Sequence, residues 1–152
     1  MTQGFIPTLN PGEFAETLVP THSVLLTTHA AVTKGYVYAV DFTTIDATTG
    51  FPDTTIAVAT VHGKHGILVV AMADAGSGDV AEFMLRGKAD VYQGASCAQG
   101  AGVIAVNGQA YVDDATTAGF KIVGKNLVLV GGSAALSPTI FNGVEGFGSI
   151  AG

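Results

Sequence analysis

Short apolar, β-branched runs, each ended by glycine or a polar turn, recur along the whole chain. They constrain the fold more than any other feature. A helix needs apolar residues at a spacing of three and four over several turns, and no long stretch here has it. The spacing predicts strands over 23–28, 35–42, 54–61, 66–73, 79–86, 88–93, 102–106, 109–113, 119–123 and 126–130. Many short strands with regular turn signals point to an all-β fold, a compact sandwich or a small barrel.

Local chemistry sharpens parts of this reading. Asn107-Gly108 sits between Val103–Val106 and Gln109–Val112, which predicts a hairpin with a type I′ turn. In 79–86, alternation places Ala81, Phe83 and Leu85 on the buried face, opposite Val80, Glu82, Met84 and Arg86. Asp74-Ala-Gly76-Ser-Gly78-Asp79 lies between two apolar runs. Its glycines permit a tight reversal and its aspartates bond local backbone, so it reads as a β-connection.

The β body is expected at 21–130, and three segments stand apart from the predicted strands. Residues 1–20 hold three of the five prolines and isolated apolar residues, and are expected to form an extended arm with a short turn of helix near 12–17. Residues 43–53 are expected to be a polar loop. Residues 131–152 are rich in Gly and Ser, and predict a second arm or a late strand. No sequence repeat divides the chain.

Composition narrows the function. Charged residues make up 12% of the 152-residue chain and hydrophobic ones 48%, against about 25% charged in an average domain. Charge normally covers the solvent face, so this shortfall implies that other subunits cover part of the surface. Six basic residues and a net charge of −6 cannot track phosphates, which argues against nucleic-acid binding. The N-terminus lacks the basic and apolar regions of a secretory signal. The longest apolar run, Ile67–Ala73, is far short of the roughly 20 residues of a membrane span, so a soluble protein without membrane contact is expected.

Catalytic and metal-binding patterns are weak. His62 and His65 are three apart, but Gly63 and Gly66 suggest a turn, and no neighbouring ligands complete a site. His22 and His29 flank a strand. Gly100–Ala105 and Gly146–Ala151 match G-x-G-x-x-A, but neither leads into a helix that could face a pyrophosphate. Cys97, the single cysteine, has no base beside it in sequence and reads as a structural thiol. Asp113-Asp114 reads as a turn pair, and Asp74/Asp79 alone offer too few oxygens for calcium. No catalytic residue, cofactor or metal is expected.

A resemblance adds a direction. An apolar strand at Val69–Asp74, then Gly78-Asp79, Leu85-Arg86-Gly87, Ala89–Val91, Gly100–Val103 and Ala110-Tyr111-Val112 resemble the small decoration, or cement, proteins of tailed-bacteriophage heads. The resemblance spans roughly residues 66–113. It implies a non-enzymatic, mostly-β virion protein, made in the host cytoplasm, that forms a homotrimer on the capsid exterior. Its partner would be the major capsid protein, whose subunits it would bridge and stabilise. The alternatives are another phage structural subunit (major coat, head fibre or tail-tube component) and a small metal-binding or enzymatic module. Phe5, Ile6, Leu9 and Phe14, apolar residues spaced along the Pro-rich arm, are the expected capsid contacts.

Overall fold

The computed structural model describes residues 20–55, 66–94, 96–114 and 120–149. These form nine strands: β1 (His22–Thr27), β2 (Val37–Ile45), β3 (Pro52–Thr55), β4 (Leu68–Ala71), β5 (Val80–Gln93), β6 (Gly102–Ala105), β7 (Val112–Asp114), β8 (Gly124–Asn126) and β9 (Ala135–Asn142). The described residues contain no helix, so the fold is all-β, as the glycine-punctuated runs imply.

The strands close into two five-membered rings that share β5. The first ring runs β1-β3-β2-β4-β5 and closes where β1 pairs with β5. The second runs β5-β7-β6-β8-β9 and closes where β5 pairs with β9. Of the two expected architectures, the small barrel is therefore the one formed, twice over. Closure removes exposed strand edges, a hazard for short strands rich in valine and alanine.

The two rings repeat one topology. The parallel contact of β1 with β3 is matched by that of β5 with β7. The antiparallel pairs β2–β3, β2–β4 and β4–β5 are matched by β6–β7, β6–β8 and β8–β9. Even the register agrees. Tyr38↔Val69 and Val37↔Val70 correspond to Val103↔Gly124 and Gly102↔Lys125. Each ring also has an isolated bridge at its corner, Val32↔Ala75 in the first and Cys97↔Val130 in the second. The repeat escapes sequence inspection because pairing needs only residues that tolerate a pleat, and because β5 belongs to both copies.

That sharing corrects the expectation of separate strands at 79–86 and 88–93. Gly87 lies between them at φ 139°, and a Cβ there would sit 2.8 Å from Thr21 Oγ1 and 3.1 Å from Met84 Sδ. Glycine lets the strand turn from one ring into the next without a break. The expected burial of 79–86 is also corrected. Phe83 is buried, but so is Met84, on the other face. Phe83 packs with Leu26, Tyr38, Val40 and Val69, while Met84 packs with Val37, Leu68 and Val70 and with Val91, Val103 and Phe141 of the second ring. Strands buried on both faces read as unbroken apolar runs, which is why Leu68–Ala71 shows no alternation.

Other boundaries move as well. The 103–112 hairpin exists as β6–β7, but its turn is not type I′. Only Gly108 has positive φ (71°); Asn107 does not, and the connection spans 106–111. Residues 43–53 are not a free loop: β2 reaches Ile45 and pairs with Pro52, so the turn shrinks to 46–51. There Asp46 accepts the backbone N–H groups of Thr48 (2.9 Å) and Thr49 (2.7 Å), which hold its carboxyl below the usual range. No strand forms over the described part of 119–123; Lys121 makes a single bridge to Ser149, and β8 follows at 124–126.

Candidate interaction surface

The residues singled out in the sequence fall into three groups. Phe5, Ile6, Leu9 and Phe14, together with His62 and His65, lie outside the described residues. His22 and His29 sit at either end of β1 and do not converge; His29 Nδ1 is 3.3 Å from Asp53 Oδ2 on the surface. Asp74 and Asp79 serve the backbone: Asp74 accepts the N–H of Lys34 at 2.8 Å, and Asp79 that of Gly76 at 2.9 Å. Thr28, buried beneath this turn, donates its hydroxyl to the Gly76 carbonyl and accepts the Asp79 N–H at 3.0 Å. The stretch 74–79 is thus a fastened β-connection.

Cys97 is fully buried at the second ring's corner. Burial, followed by the nearby Asp114 carboxylate, pushes its thiol up to about 12. At neutral pH it is neither a thiolate nor accessible, the opposite of what a nucleophile requires. The glycines of Gly100–Ala105 lead into β6 and then β7, with no helix to receive a phosphate. Among the described residues, no three His, Cys, Asp or Glu side chains gather around a common point.

Chemistry of another kind lies between the rings. A cavity of about 490 Å³ opens where β5 crosses from one ring to the other. Val70, Met72, Met84, Ala89 and Leu136 supply apolar wall; Lys34, Lys88 and Asp90 supply charge; Thr21 stands at its margin. Leu136 is 52% exposed and Met72 38%, so this wall is in part open to solvent. Beside it, Tyr36 stacks on Tyr92 with ring centroids 4.5 Å apart, and Tyr92 meets Tyr111 edge-on at 6.1 Å. Further apolar side chains stand out at Leu25 and Val80 on the first ring, at Phe42 and Ile45 on the β2–β3 hairpin, and at Val128 and Leu129 before the second ring's corner. Such groups suit burial against another surface. Sequence reading could not assemble a groove from three separate strands and the segments before β1 and β2.

The seam between the rings also holds a buried cation. Lys121 Nζ donates to the carbonyls of Gly66 (2.6 Å), Gly143 (3.0 Å) and Val144 (3.0 Å). Gly66 leads into β4 of the first ring, and Gly143-Val144 follows β9 of the second, so one ammonium group ties both. Burial lowers the pKa of this lysine.

These features define a class: an all-β protein of two fused small barrels, with a groove and exposed apolar side chains. No protein-family model matches the sequence, and no curated protein matches it. Among solved structures, the fold is similar to the head fiber gp8.5 N base in bacteriophage phi29, with a TM-score of 0.57 and 12% sequence identity. The likeness covers 82% of this chain and 97% of that one.

Proposed function

We propose that this chain is a non-enzymatic structural protein of a phage virion that seats on the outer surface of the head and bridges major capsid protein subunits. The observation that carries this reading is the fold likeness, which takes in nearly the whole base of a phage head fibre. The low charge and the exposed Phe42, Ile45, Leu129 and Leu136 support it, since they favour a body that other protein surfaces cover. In this reading Phe5, Ile6, Leu9 and Phe14 anchor the arm on the coat and three copies assemble together. Several weak contacts then reinforce one another, because each tethered contact raises the local concentration for the next.

The test is binding of purified protein to empty heads that lack it, followed by sedimentation and by the melting temperature of the shell. Binding with a raised shell melting temperature is expected, since a ligand of the assembled state stabilises it. Deleting residues 1–14 should abolish binding while leaving the far-ultraviolet spectrum of the body intact. Full binding without the arm refutes the anchor assignment, and no binding of the intact chain refutes the proposal. A second reading, the foot of a head fibre, is favoured by the same neighbour. It predicts attachment to single capsid subunits as tight as to the intact head, and therefore little change in the shell melting temperature.

A further inference from the structure

β2 and β3 leave the first ring together. Among the described residues, β4 flanks β2 only over Val37–Ala39 and β1 meets β3 only at Asp53, so 42–52 project from the ring as a two-stranded tongue. Phe42 is 60% exposed on it and Ile45 51%. The tongue is held in place: Thr49 Oγ1 lies 2.9 Å from Thr27 Oγ1 at the end of β1, and Asp46 fastens the turn through the N–H groups of Thr48 and Thr49. The Thr43 hydroxyl keeps the Asp41 carboxyl below its usual range, and the Thr49 N–H does the same for Asp46, so both stay charged. The tongue thus carries a fixed apolar tip between two negative charges. The groove between the rings is its complement, with an apolar wall of Met72, Met84 and Leu136 and two cations, Lys34 and Lys88. Neither lysine makes an ion pair among the described residues, and Asp90 is the one acid among the described lining residues, which leaves them net positive.

We propose that the tongue of one copy seats in the groove of a second copy of this chain, with Phe42 and Ile45 against Met72 and Leu136 and with Asp41 and Asp46 beside Lys34 and Lys88. Opposite charge around matching apolar centres is what selects this pairing over others. The chain's own groove is out of the tongue's reach. Gly35 lines the groove and Ile45 ends β2, so the run between them has a contour of about 30 Å at roughly 3.3 Å per residue. Because tongue and groove lie at different places on the surface, the contact is head-to-tail and repeats from copy to copy until a ring closes. A tongue this small buries less than the roughly 800 Å² per partner of a stable interface, so the contact is weak in free solution. It gains strength where copies are held side by side. The inference rests on the assembly of copies proposed above, naming the faces that meet, but not on attachment to a phage head.

Sedimentation equilibrium of the full chain, without heads and at concentrations up to about 1 mM, tests it. The unaltered chain is expected to associate reversibly. Two charge-reversed variants follow: Lys34→Glu/Lys88→Glu in the groove, and Asp41→Lys/Ala47→Lys on the tongue, the latter sparing the Asp46 turn. Each alone should associate at least about tenfold more weakly, because like charges then meet. An equimolar mixture of the two should recover association, since the lysine tongue meets the glutamate groove while the other tongue and groove remain a native pair. Misfolding of either variant cannot produce that recovery. Phe42→Ser should weaken association without any change of charge. A chain that stays monomeric over the whole range overturns the proposal, as do variants that associate like the unaltered chain or a mixture that does not recover. Association that appears only when residues 1–19 are removed assigns the groove to the chain's own arm, and overturns it too.

Discussion

Lys121→Met is the substitution that best tests how the two rings are held together. It keeps the apolar stem and removes the ammonium group that spans the seam. Of the three carbonyls, that of Gly143 also accepts the Leu68 N–H at 3.0 Å and so retains a partner. Those of Gly66 and Val144 lose the donor described for them. Leaving a buried acceptor unsatisfied costs about 1–3 kcal/mol. Relief of the buried charge offsets part of this, so a net loss of roughly 2–4 kcal/mol is expected. For a domain of this size that lowers the melting temperature by roughly 5–15 °C. Urea denaturation measures both the loss and the slope. A reduced slope would show the rings beginning to unfold separately. Lys125→Met, whose lysine is only half-buried, serves as the control. The pH dependence has a definite sign. Burial depresses the folded-state pKa of Lys121, so in the window just below 10.5 the unfolded chain binds more protons and stability rises with pH. The deficit of the variant should therefore be larger near pH 10 than at pH 7. A Lys121→Met protein as stable as the unaltered one, or more so, refutes the reasoning.

Other outcomes follow from single residues. Cys97 should resist a thiol reagent in the native state and react fully once the chain is unfolded; rapid native reaction would contradict its burial. Its folded-state pKa is raised from 9.0 to about 12, so the folded chain keeps this proton longer and stability is lost as pH rises through that window. Cys97→Ala should lose less stability between pH 8 and pH 10 than the unaltered protein does, by chemical denaturation. Gly143→Ala should prevent folding or cost more than about 3 kcal/mol, because its Cβ would lie 1.8 Å from the Leu68 carbonyl oxygen. Gly100→Ala, at φ 81° in open space, should cost only about 1–2 kcal/mol. Similar midpoints for these two variants would show that the seam is looser than its geometry.

What could be read from the sequence was local, and what could not was shared between distant segments. Valine-rich runs and glycines locate most strands, because pleat-compatible residues and turn chemistry act over a few positions. Asn107-Gly108 marked a true hairpin but the wrong turn, since Asn107 keeps negative φ when the loop is longer than two residues. Met84 was misplaced because alternation assumes one wet face, and β5 has a ring on either side. Nothing in the sequence marked Lys121 as a tie between the rings. Its three carbonyl partners lie about twenty and fifty residues away and carry no side-chain signature. The groove was equally hidden, being lined from β4, β5, β9 and the residues before β1 and β2.

His22 and Asn142 face each other across Arg86, so β1 begins and β9 ends at the waist of the molecule. Tension applied through both flanking segments would meet at that waist and load first the two pairs at Arg86, on the strand common to the two barrels.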